Sequence, residues 1–458
     1  FVGQVPTNLR QRESFQELDI VEFTRPVAKW AVELNRADRV AEIVDKAFHI
    51  ANSGRPGPVV ISLPEDIDRS STAQHSVWRS STVGIPSLST KGVAKAVSMI
   101  EDAERPCIVA GEGILRVDAT DKLIRFAECL GAPVFTAWRR FDTFPNKHPL
   151  YMGGLNLSSV SNDLSEPLKN ADLIIAIGTR LDEFTTLSYS SPSTEQKLIH
   201  IDQSPEETGG SWIGADLALV ADAGEAMDKL EEALKNSKRA KPSKARQKQI
   251  ADWSEYFRRR TTPRSNRIGL KDGTIDLEGV YHDILNILTD DASITCDAGD
   301  FGSWLIRYYK WNQPRTFFGP TTGAMGYALP AAIAAKLARP QAPAIAFAGD
   351  GGFAMTMSEL ETAVRMNLDS LVVLVFNNNN YGTISRHQNR EFPGRPVGTG
   401  LGTIDFSAIA KAMGAEGFKV SKNVEFSEAF NAALNVGCPA VIDITVGGNS
   451  LDPWDDNN

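Results

Sequence analysis

The sequence predicts an α/β protein built from doubly wound parallel sheets, and one segment carries most of this prediction. Residues 344–348 and 371–376 are short, unbroken apolar runs, as expected of parallel strands that helices cover on both faces. Between them, residues 356–366 place apolar side chains at helical spacing. A strand, a helix and a second strand in this order form a β-α-β unit, which makes the two strands parallel.

The chain is too long for a single hydrophobic core, so several domains are expected. It has 458 residues, whereas single cores stop growing at about 250–300 residues. We predict three doubly wound domains: the end of an incomplete α/β domain in residues 1–85, a Rossmann-like domain in 86–235 and a last α/β domain in 271–458, with a basic linker in 236–270. The other predicted elements are a helix at 38–53 and strands at 59–63, 107–110, 133–136, 173–177, 198–201 and 293–295.

Composition excludes some classes of function. The net charge of −9 argues against a nucleic-acid surface, and the basic residues of 236–270 then indicate a solvated helix and linker. No apolar run reaches the length of a membrane span. The four cysteines, Cys107, Cys129, Cys296 and Cys438, are scattered, which predicts free thiols in a reducing, cytoplasmic setting.

Polar side chains follow both strands of the β-α-β unit. Asp350 comes after the first strand, and Asn377 and Asn378 come after the second. Because parallel strands end at the same edge of a sheet, these oxygen donors should converge where ligands bind. Such donors suit Mg²⁺ or Ca²⁺. The glycines around Asp350 predict a tight turn that ends the first strand before the helix, and they allow close approach of an anion. The pattern predicts a diphosphate held through a divalent metal.

The segment Gly349-Asp350-Gly351, followed by Asn377-Asn378, resembles the thiamine-diphosphate motif. The resemblance implies the thiamine-diphosphate-binding fold, with thiamine diphosphate and Mg²⁺ as cofactors. By the same resemblance, Asp350, Asn378 and the carbonyl of Asn380 hold the metal.

Further stretches resemble acetolactate-synthase-like enzymes of this family. Residues 1–85 are similar to the C-terminal part of the family's pyrimidine-binding domain, in which Phe15 and Gln16 face the substrate. Met325 matches a methionine that bends the cofactor, and His387 stands where true synthases usually carry Trp; the resemblance places both with Phe15 and Gln16 among the catalytic residues. Asp300 and Phe301 lie in a loop that resembles the one that meets the diphosphate, where many synthases carry Gln-His. The resemblance implies a cofactor-binding set of Asp300, Phe301, Gly323, Met325, Asp350, Gly351, Gly352, Asn378, Asn380, Tyr381 and Gly382. The alternatives are a surface loop for Phe15 and Gln16 and ordinary core packing for Met325.

The central domain of some relatives carries a non-redox FAD. Those relatives tend to show a Gly-Met-His-Gly loop, where this chain has Gly153-Gly154-Leu155-Asn156, although Arg180 matches the family's Gly-x-Arg. We therefore expect no FAD.

The resemblance implies carboligation or decarboxylation of a 2-oxo acid by a homodimer or homotetramer. The alternatives are a thiamine-diphosphate-dependent lyase or hydrolase acting on another substrate, such as an acyloin, and a non-catalytic protein that binds the cofactor. The family's activating glutamate has no counterpart in 1–458. We therefore expect roughly 100 further residues upstream, judged from domain size, and little activity from residues 1–458 alone.

Overall fold

The computed structural model describes residues 1–71, 84, 86–156, 163–209, 212–235, 237, 241–265, 268–270, 273–447 and 453. The chain divides into two compact units. The first consists of Phe1–Pro86 with Gln203–Glu206, and the second of Ser87–Asp202 with Glu207–Asn458. None of the helices in these described ranges is long and apolar enough to cross a membrane.

The first unit contains a small parallel sheet in the strand order β1-β3-β2. The predicted helix at 38–53 is observed as α2, and its apolar stripe buries Ile43 and Ala47 against Leu34 and Ile61. The elements are β1 (Val2–Gln4), α1 (Ile20–Thr24), β2 (Trp30–Glu33), α2 (Val40–Asn52), β3 (Val59–Pro64) and α3 (Glu65–Asp68), with 3₁₀ turns at Thr7–Leu9 and Ala37–Arg39.

The second unit begins with a parallel sheet in the order β6-β5-β4-β7-β8-β9. Its elements are α4 (Thr90–Asp102), β4 (Pro106–Ala110), α5 (Glu112–Arg116), α6 (Thr120–Leu130), β5 (Val134–Thr136), β6 (Tyr151–Gly154), a 3₁₀ turn (Asp163–Ser165), α7 (Glu166–Lys169), β7 (Leu173–Ile177), β8 (Lys197–Asp202), β9 (Leu217–Val220), α8 (Ala223–Leu234) and α9 (Lys244–Arg260). The predicted strands β4, β5, β7 and β8 are confirmed to within one residue. We did not predict β6 and β9, which are short; β6 contains two glycines, and β9 is partly exposed.

The basic stretch 236–270 contains a long helix that packs against this sheet. In α9, Ile250 and Phe257 are buried in the two hydrophobic clusters of the central sheet. The ring of Phe257 meets that of Tyr151 edge-on at 5.5 Å between centroids. The basic residues at 258–260 occupy the last turn of α9, where positive charges interact favourably with the helix dipole.

The same unit contains a second parallel sheet in the order β11-β10-β12-β13-β15-β14. Its elements are α10 (Leu277–Ile287), β10 (Ser293–Cys296), α11 (Phe301–Tyr308), β11 (Phe317–Phe318), α12 (Ala328–Ala338), β12 (Ala344–Gly349), α13 (Asp350–Thr356), α14 (Glu359–Arg365), β13 (Leu371–Asn377), α15 (Gly382–Glu391), α16 (Phe406–Ala412), β14 (Glu416–Val420), α17 (Asn423–Asn435) and β15 (Ala440–Thr445). The predicted α/β class and the parallel pairing of β12 with β13 are confirmed.

One predicted helix was wrong in its extent. We expected a single helix at 356–366, but the structure has two, α13 and α14, separated by a turn at Met357 and Ser358. The glycines after Asp350 lie within the first turn of α13 instead of forming a separate loop. Glycine is needed at these positions because the neighbouring side chains leave no room for a Cβ atom.

A buried carboxylate ties the loop after β5 to strand β11. Asp142 is 2% exposed, and its Oδ2 accepts hydrogen bonds from the N–H groups of Thr316 (3.0 Å) and Phe317 (3.2 Å). Its Oδ1 is buried without a partner in the described part of the chain. Burial raises the pKa of Asp142 to about 6, because the charged form is poorly solvated there.

We expect Asp142 to make stability depend on pH. Because its folded-state pKa lies above the ordinary value of 3.8, the folded state holds the proton more tightly. The free energy of unfolding should therefore fall by about 1–3 kcal/mol as the pH rises from about 4 to 6. Asp142→Asn should remove this component. Urea unfolding of both proteins from pH 4.5 to 7.5 measures it, and identical pH profiles would contradict it.

Candidate functional site

A cavity of about 260 Å³ lies at the carboxyl ends of the strands in the six-stranded sheet formed by β10 to β15. The chain leaves β10 toward β11 on one side and returns to β12 on the other, so the sheet reverses its winding direction between β10 and β12. Ligands of open α/β sheets bind at such a point. The lining residues are Ala298, Gly299, Asp300, Phe301, Gly323, Met325, Gly349, Asp350, Gly351, Gly352, Phe376, Asn378, Asn380, Tyr381, Gly382, Thr383 and Ile384.

Asp350 is held at the end of β12 by main-chain donors. Its side chain is 5% exposed. Oδ1 accepts from its neighbour Gly351 N at 2.8 Å, and Oδ2 accepts from Asn378 N and Asn380 N, both at 3.2 Å. Burial raises the pKa of Asp350, and these hydrogen bonds oppose the rise. The strands β12 and β13 thus bring the predicted metal ligands together, as their parallel pairing requires.

The two glycines after Asp350 are required by close packing. A Cβ atom at Gly351 would lie 2.3 Å from the ring of Tyr381, and one at Gly352 would lie 2.3 Å from Oδ2 of Asp297. Both distances are well below van der Waals contact. The glycines therefore allow the Asp350 turn to pack against two neighbouring segments of the cavity wall.

The asparagine run forms a tight turn after β13. Asn378 Oδ1 accepts from Asn380 N at 3.1 Å, and Asn379 adopts a left-handed conformation with φ of 53°. Asn377 points its amide away from the cavity and donates to Asp443 Oδ1 at 2.9 Å. The carbonyl of Asn380 accepts from Gly382 N at 2.8 Å and keeps a second lone pair.

The chemistry of these donors fits a hard divalent cation. Asp350 offers a carboxylate, and Asn378 and Asn380 offer amide and carbonyl oxygens. The buried Asn380 Oδ1 has no hydrogen-bond partner in the described residues. The same residues contain no cluster of three or more His, Cys, Asp or Glu side chains. One carboxylate with neutral oxygens suits Mg²⁺, which commonly completes its shell with phosphate oxygens and water.

Met325 projects into the cavity from a segment that a second buried acid anchors. Met325 is 37% exposed, so it is not buried in a hydrophobic core. Asp297, which follows β10, accepts from Gly326 N (3.1 Å), Tyr327 N (2.7 Å) and Ala328 N (2.7 Å). Three N–H groups directly after Met325 thus converge on one carboxylate, which fixes where the methionine stands.

Comparison with known proteins agrees with this geometry. Residues 297–444 match the domain described as "Thiamine pyrophosphate enzyme, C-terminal TPP binding domain", and residues 93–230 match "Thiamine pyrophosphate enzyme, central domain". An acetolactate synthase large subunit of Corynebacterium glutamicum is 31% identical over 462 residues, which cover 97% of this chain and 71% of the relative. The chain belongs to the acetolactate-synthase-like family of thiamine-diphosphate enzymes.

Other relatives support the same family. A probable acetolactate synthase large subunit of Methanococcus aeolicus is 29% identical over 469 residues, covering 98% of this chain and 77% of the relative. An acetolactate synthase large subunit of Buchnera aphidicola is 29% identical over 439 residues, covering 94% of this chain and 75% of the relative. The family predicted from the Asp350 and Asn378 motif is therefore confirmed.

Asp300 and Phe301, two of the predicted cofactor-binding residues, have different surroundings. The ring of Phe301 is 6% exposed and stacks on Phe376 at 5.5 Å, so the bulk of its side chain belongs to the core beneath the cavity. Asp300 lines the cavity and forms an ion pair with Arg386 at 2.6 Å. Phe301 thus contributes mainly to packing beneath the cavity, and Asp300 contributes a carboxylate to its wall.

Three predicted catalytic residues lie in other parts of the described chain, two of them in the first unit and one on α15. Phe15 and Gln16 belong to the first unit, where the Phe15 side chain is 88% exposed and Gln16 has a left-handed φ of 66°. His387 is exposed on α15 and is not among the described residues that line the cavity. Their roles in substrate binding stay predictions.

Sequence reasoning missed Asp297, Asp443 and Arg386 as supporting residues. Asp297 could have been found, because it follows a strand in the same way as Asp350. Asp443 is an acid within the otherwise apolar part of β15, and a buried charge of this kind requires partners. It accepts from Asn377 and, through Oδ2, from Phe406 N at 3.1 Å. Arg386 gave no signal, because its partner is distant in sequence.

The glycine turns of the central sheet pack against one another. A Cβ atom at Gly111 would lie 2.4 Å from the carbonyl oxygen of Gly178, and one at Gly113 would lie 2.6 Å from the Cα atom of Gly178. Gly113 N donates to Gly178 O at 2.9 Å. A Cβ atom at Gly154 would lie 2.2 Å from the ring of Phe141. Close packing is therefore sufficient to explain why these positions are glycine, without a bound nucleotide.

Proposed function

We propose that this protein binds thiamine diphosphate through Mg²⁺ and uses it to decarboxylate a 2-oxo acid and join the acyl unit to a second carbonyl compound. The observation that carries the proposal is the convergence of Asp350, Asn378 and Asn380 beside Met325 in one cavity. When bound, thiamine diphosphate supplies a nucleophilic carbon and an electron sink for loss of CO₂.

The residues of this chain contribute binding, orientation and exclusion of water. Asp350, Asn378 and Asn380 would hold the metal through their oxygens. Helices α11 and α15 begin at the cavity, so their N-terminal ends favour a diphosphate. The side chain of Met325 lines the same cavity and would support the bent cofactor, as the resemblance implies.

Pyruvate is the first substrate to test, because the named relatives are acetolactate synthases. We expect the full-length protein to consume pyruvate and form acetolactate only when thiamine diphosphate and Mg²⁺ are both present. The assay follows pyruvate loss and acetolactate formation, with each cofactor omitted in turn. Turnover that is independent of either cofactor would contradict the proposal.

A second candidate function is a lyase or hydrolase acting on another 2-oxo acid or an acyloin. It is favoured by His387 in the position where synthases usually carry Trp, and by Asp300-Phe301 in place of Gln-His. A cofactor-dependent reaction with these substrates, and none with pyruvate, would select it.

We also propose that the protein is a cytoplasmic homodimer or homotetramer. Active sites of the family form between subunits, and all four cysteines are free in the structure, as expected in a reducing compartment. Sedimentation equilibrium measures the oligomeric state, and a monomer at micromolar concentration would contradict it.

We expect no FAD in the central domain. The Gly153-Gly154-Leu155-Asn156 segment differs from the loop of flavin-carrying relatives, and Gly111, Gly113 and Gly178 are accounted for by contacts between turns. The visible absorbance spectrum of the purified protein tests this. A flavin band in a one-to-one ratio with the chain would contradict it.

A further inference from the structure

The cavity that we propose for a diphosphate carries two acidic side chains. Among the described residues that line it, the charged ones are Asp300 and Asp350, and both are carboxylates. A diphosphate is itself an anion, so each carboxylate repels it unless a cation intervenes. In the proposed function, a divalent metal offsets Asp350. Asp300 lies outside that donor set and needs its own counter-charge.

Arg386 is positioned to supply that charge. Its Nη2 lies 2.6 Å from Oδ1 of Asp300. Asp300 has a side chain 8% exposed, whereas that of Arg386 is 45% exposed, so the acid is shielded from water while the base reaches the solvent. Arg386 itself is not among the lining residues. It stands behind the acid, on the second turn of α15.

A second contact ties the same two segments together. The main-chain N–H of Asp300 donates to Oγ1 of Thr383 at 3.1 Å, and Thr383 lies in the first turn of α15. Asp300 is therefore held from its backbone and from its carboxylate by one helix. This double attachment keeps the carboxylate at the cavity wall, so its charge has to be offset where it stands.

We propose that Arg386 is the counter-ion that permits a carboxylate at position 300 beside the diphosphate, and so is a positioning residue for cofactor affinity. This inference rests on the proposed function. Arg386 acts through Asp300 and does not bind the phosphates itself.

Calorimetric titration with thiamine diphosphate at saturating Mg²⁺ tests this in the full-length protein. Arg386→Gln removes the guanidinium that offsets the charge of Asp300 and should weaken binding about ten-fold. This effect lies between those of breaking an exposed and a buried ion pair. The double variant Asp300→Asn with Arg386→Gln removes both charges and should return the affinity to within about three-fold of wild type. Inorganic diphosphate with Mg²⁺, as a second probe, should show the same pattern.

The control is Arg390→Gln, one turn further along α15. Arg390 is 67% exposed and pairs with Glu391, so its removal should leave the affinity unchanged. Arg386→Lys keeps the charge and should bind within about three-fold of wild type. It also keeps the test decisive if Arg386→Gln folds poorly, which circular dichroism would show.

The outcomes separate this inference from the proposed function. If wild type binds the cofactor and Arg386→Gln binds equally well, the counter-ion role is wrong. If the double variant is as weak as Arg386→Gln, Arg386 contacts the phosphates directly and the proposal is overturned. If wild type does not bind thiamine diphosphate with Mg²⁺, the proposed function falls and this inference falls with it.

Discussion

Asp350→Ala should abolish Mg²⁺-supported binding of thiamine diphosphate. Asp350 is the carboxylate in a donor set otherwise made of neutral oxygens, and Mg²⁺ depends on one or two such groups. Its removal also leaves Asn378 N without this acceptor and Asn380 N with Asn378 Oδ1 alone, so the asparagine turn loses its side-chain attachment to Asp350. Loss of a supporting group in a metal site typically costs 10–100-fold in affinity, and loss of the charged ligand should cost at least about 100-fold.

Calorimetry with thiamine diphosphate at fixed Mg²⁺ measures this effect. Asp350→Asn is the informative companion, because it keeps an acceptor oxygen for the turn but removes the charge. We expect it to keep a folded turn and still bind the metal poorly. Asp121→Ala, at an exposed position on α6, is the control for removing an acid elsewhere. An Asp350→Ala protein with wild-type affinity would refute the metal site.

Asp297→Ala should destabilise the segment that carries Met325. The carboxylate accepts three main-chain N–H groups, from Gly326, Tyr327 and Ala328, and is 1% exposed. A buried donor left without an acceptor costs about 1–3 kcal/mol. We expect a loss of about 3–5 kcal/mol in the free energy of unfolding, together with weaker cofactor binding because Met325 is no longer held.

Hydrogen exchange at residues 326–328 reports directly on this anchor. Those amides should exchange faster in Asp297→Ala than in wild type, whereas Asp121→Ala should leave their exchange unchanged. Asp297→Asn keeps one acceptor oxygen and should give an intermediate effect. Unaltered protection of the three amides in Asp297→Ala would show that the segment is held by other contacts.

The sequence was sufficient to predict features that depend on residues adjacent along the chain. The strands β12 and β13 are unbroken apolar runs, so their position and parallel pairing could be predicted to within one residue. Asp350 and Asn378 follow those strands, and parallel strands end at one edge of the sheet. The same reasoning predicts oxygen donors for a metal-bound diphosphate at that edge, and this part stays a prediction.

Sequence reasoning was less reliable where tertiary packing decides the outcome. The glycines after Asp350 were expected to form a turn before a single helix, yet they lie inside α13. They are glycines because the ring of Tyr381 and the carboxylate of Asp297 occupy the space of a Cβ atom. Neither neighbour is close in sequence, so nothing in the local pattern distinguishes a turn glycine from a packing glycine.

The sequence by itself determined the α/β class, the family and the oxygen donors of the proposed metal site, because strand periodicity and the polar residues at strand ends are local properties. Only the tertiary structure showed that Asp297 anchors the Met325 segment, that Asp443 orients Asn377, and that Arg386 pairs with Asp300. These contacts join residues between 29 and 86 positions apart. A buried carboxylate takes its partners from whichever segments the fold brings within hydrogen-bonding distance, and one sequence does not record that distance.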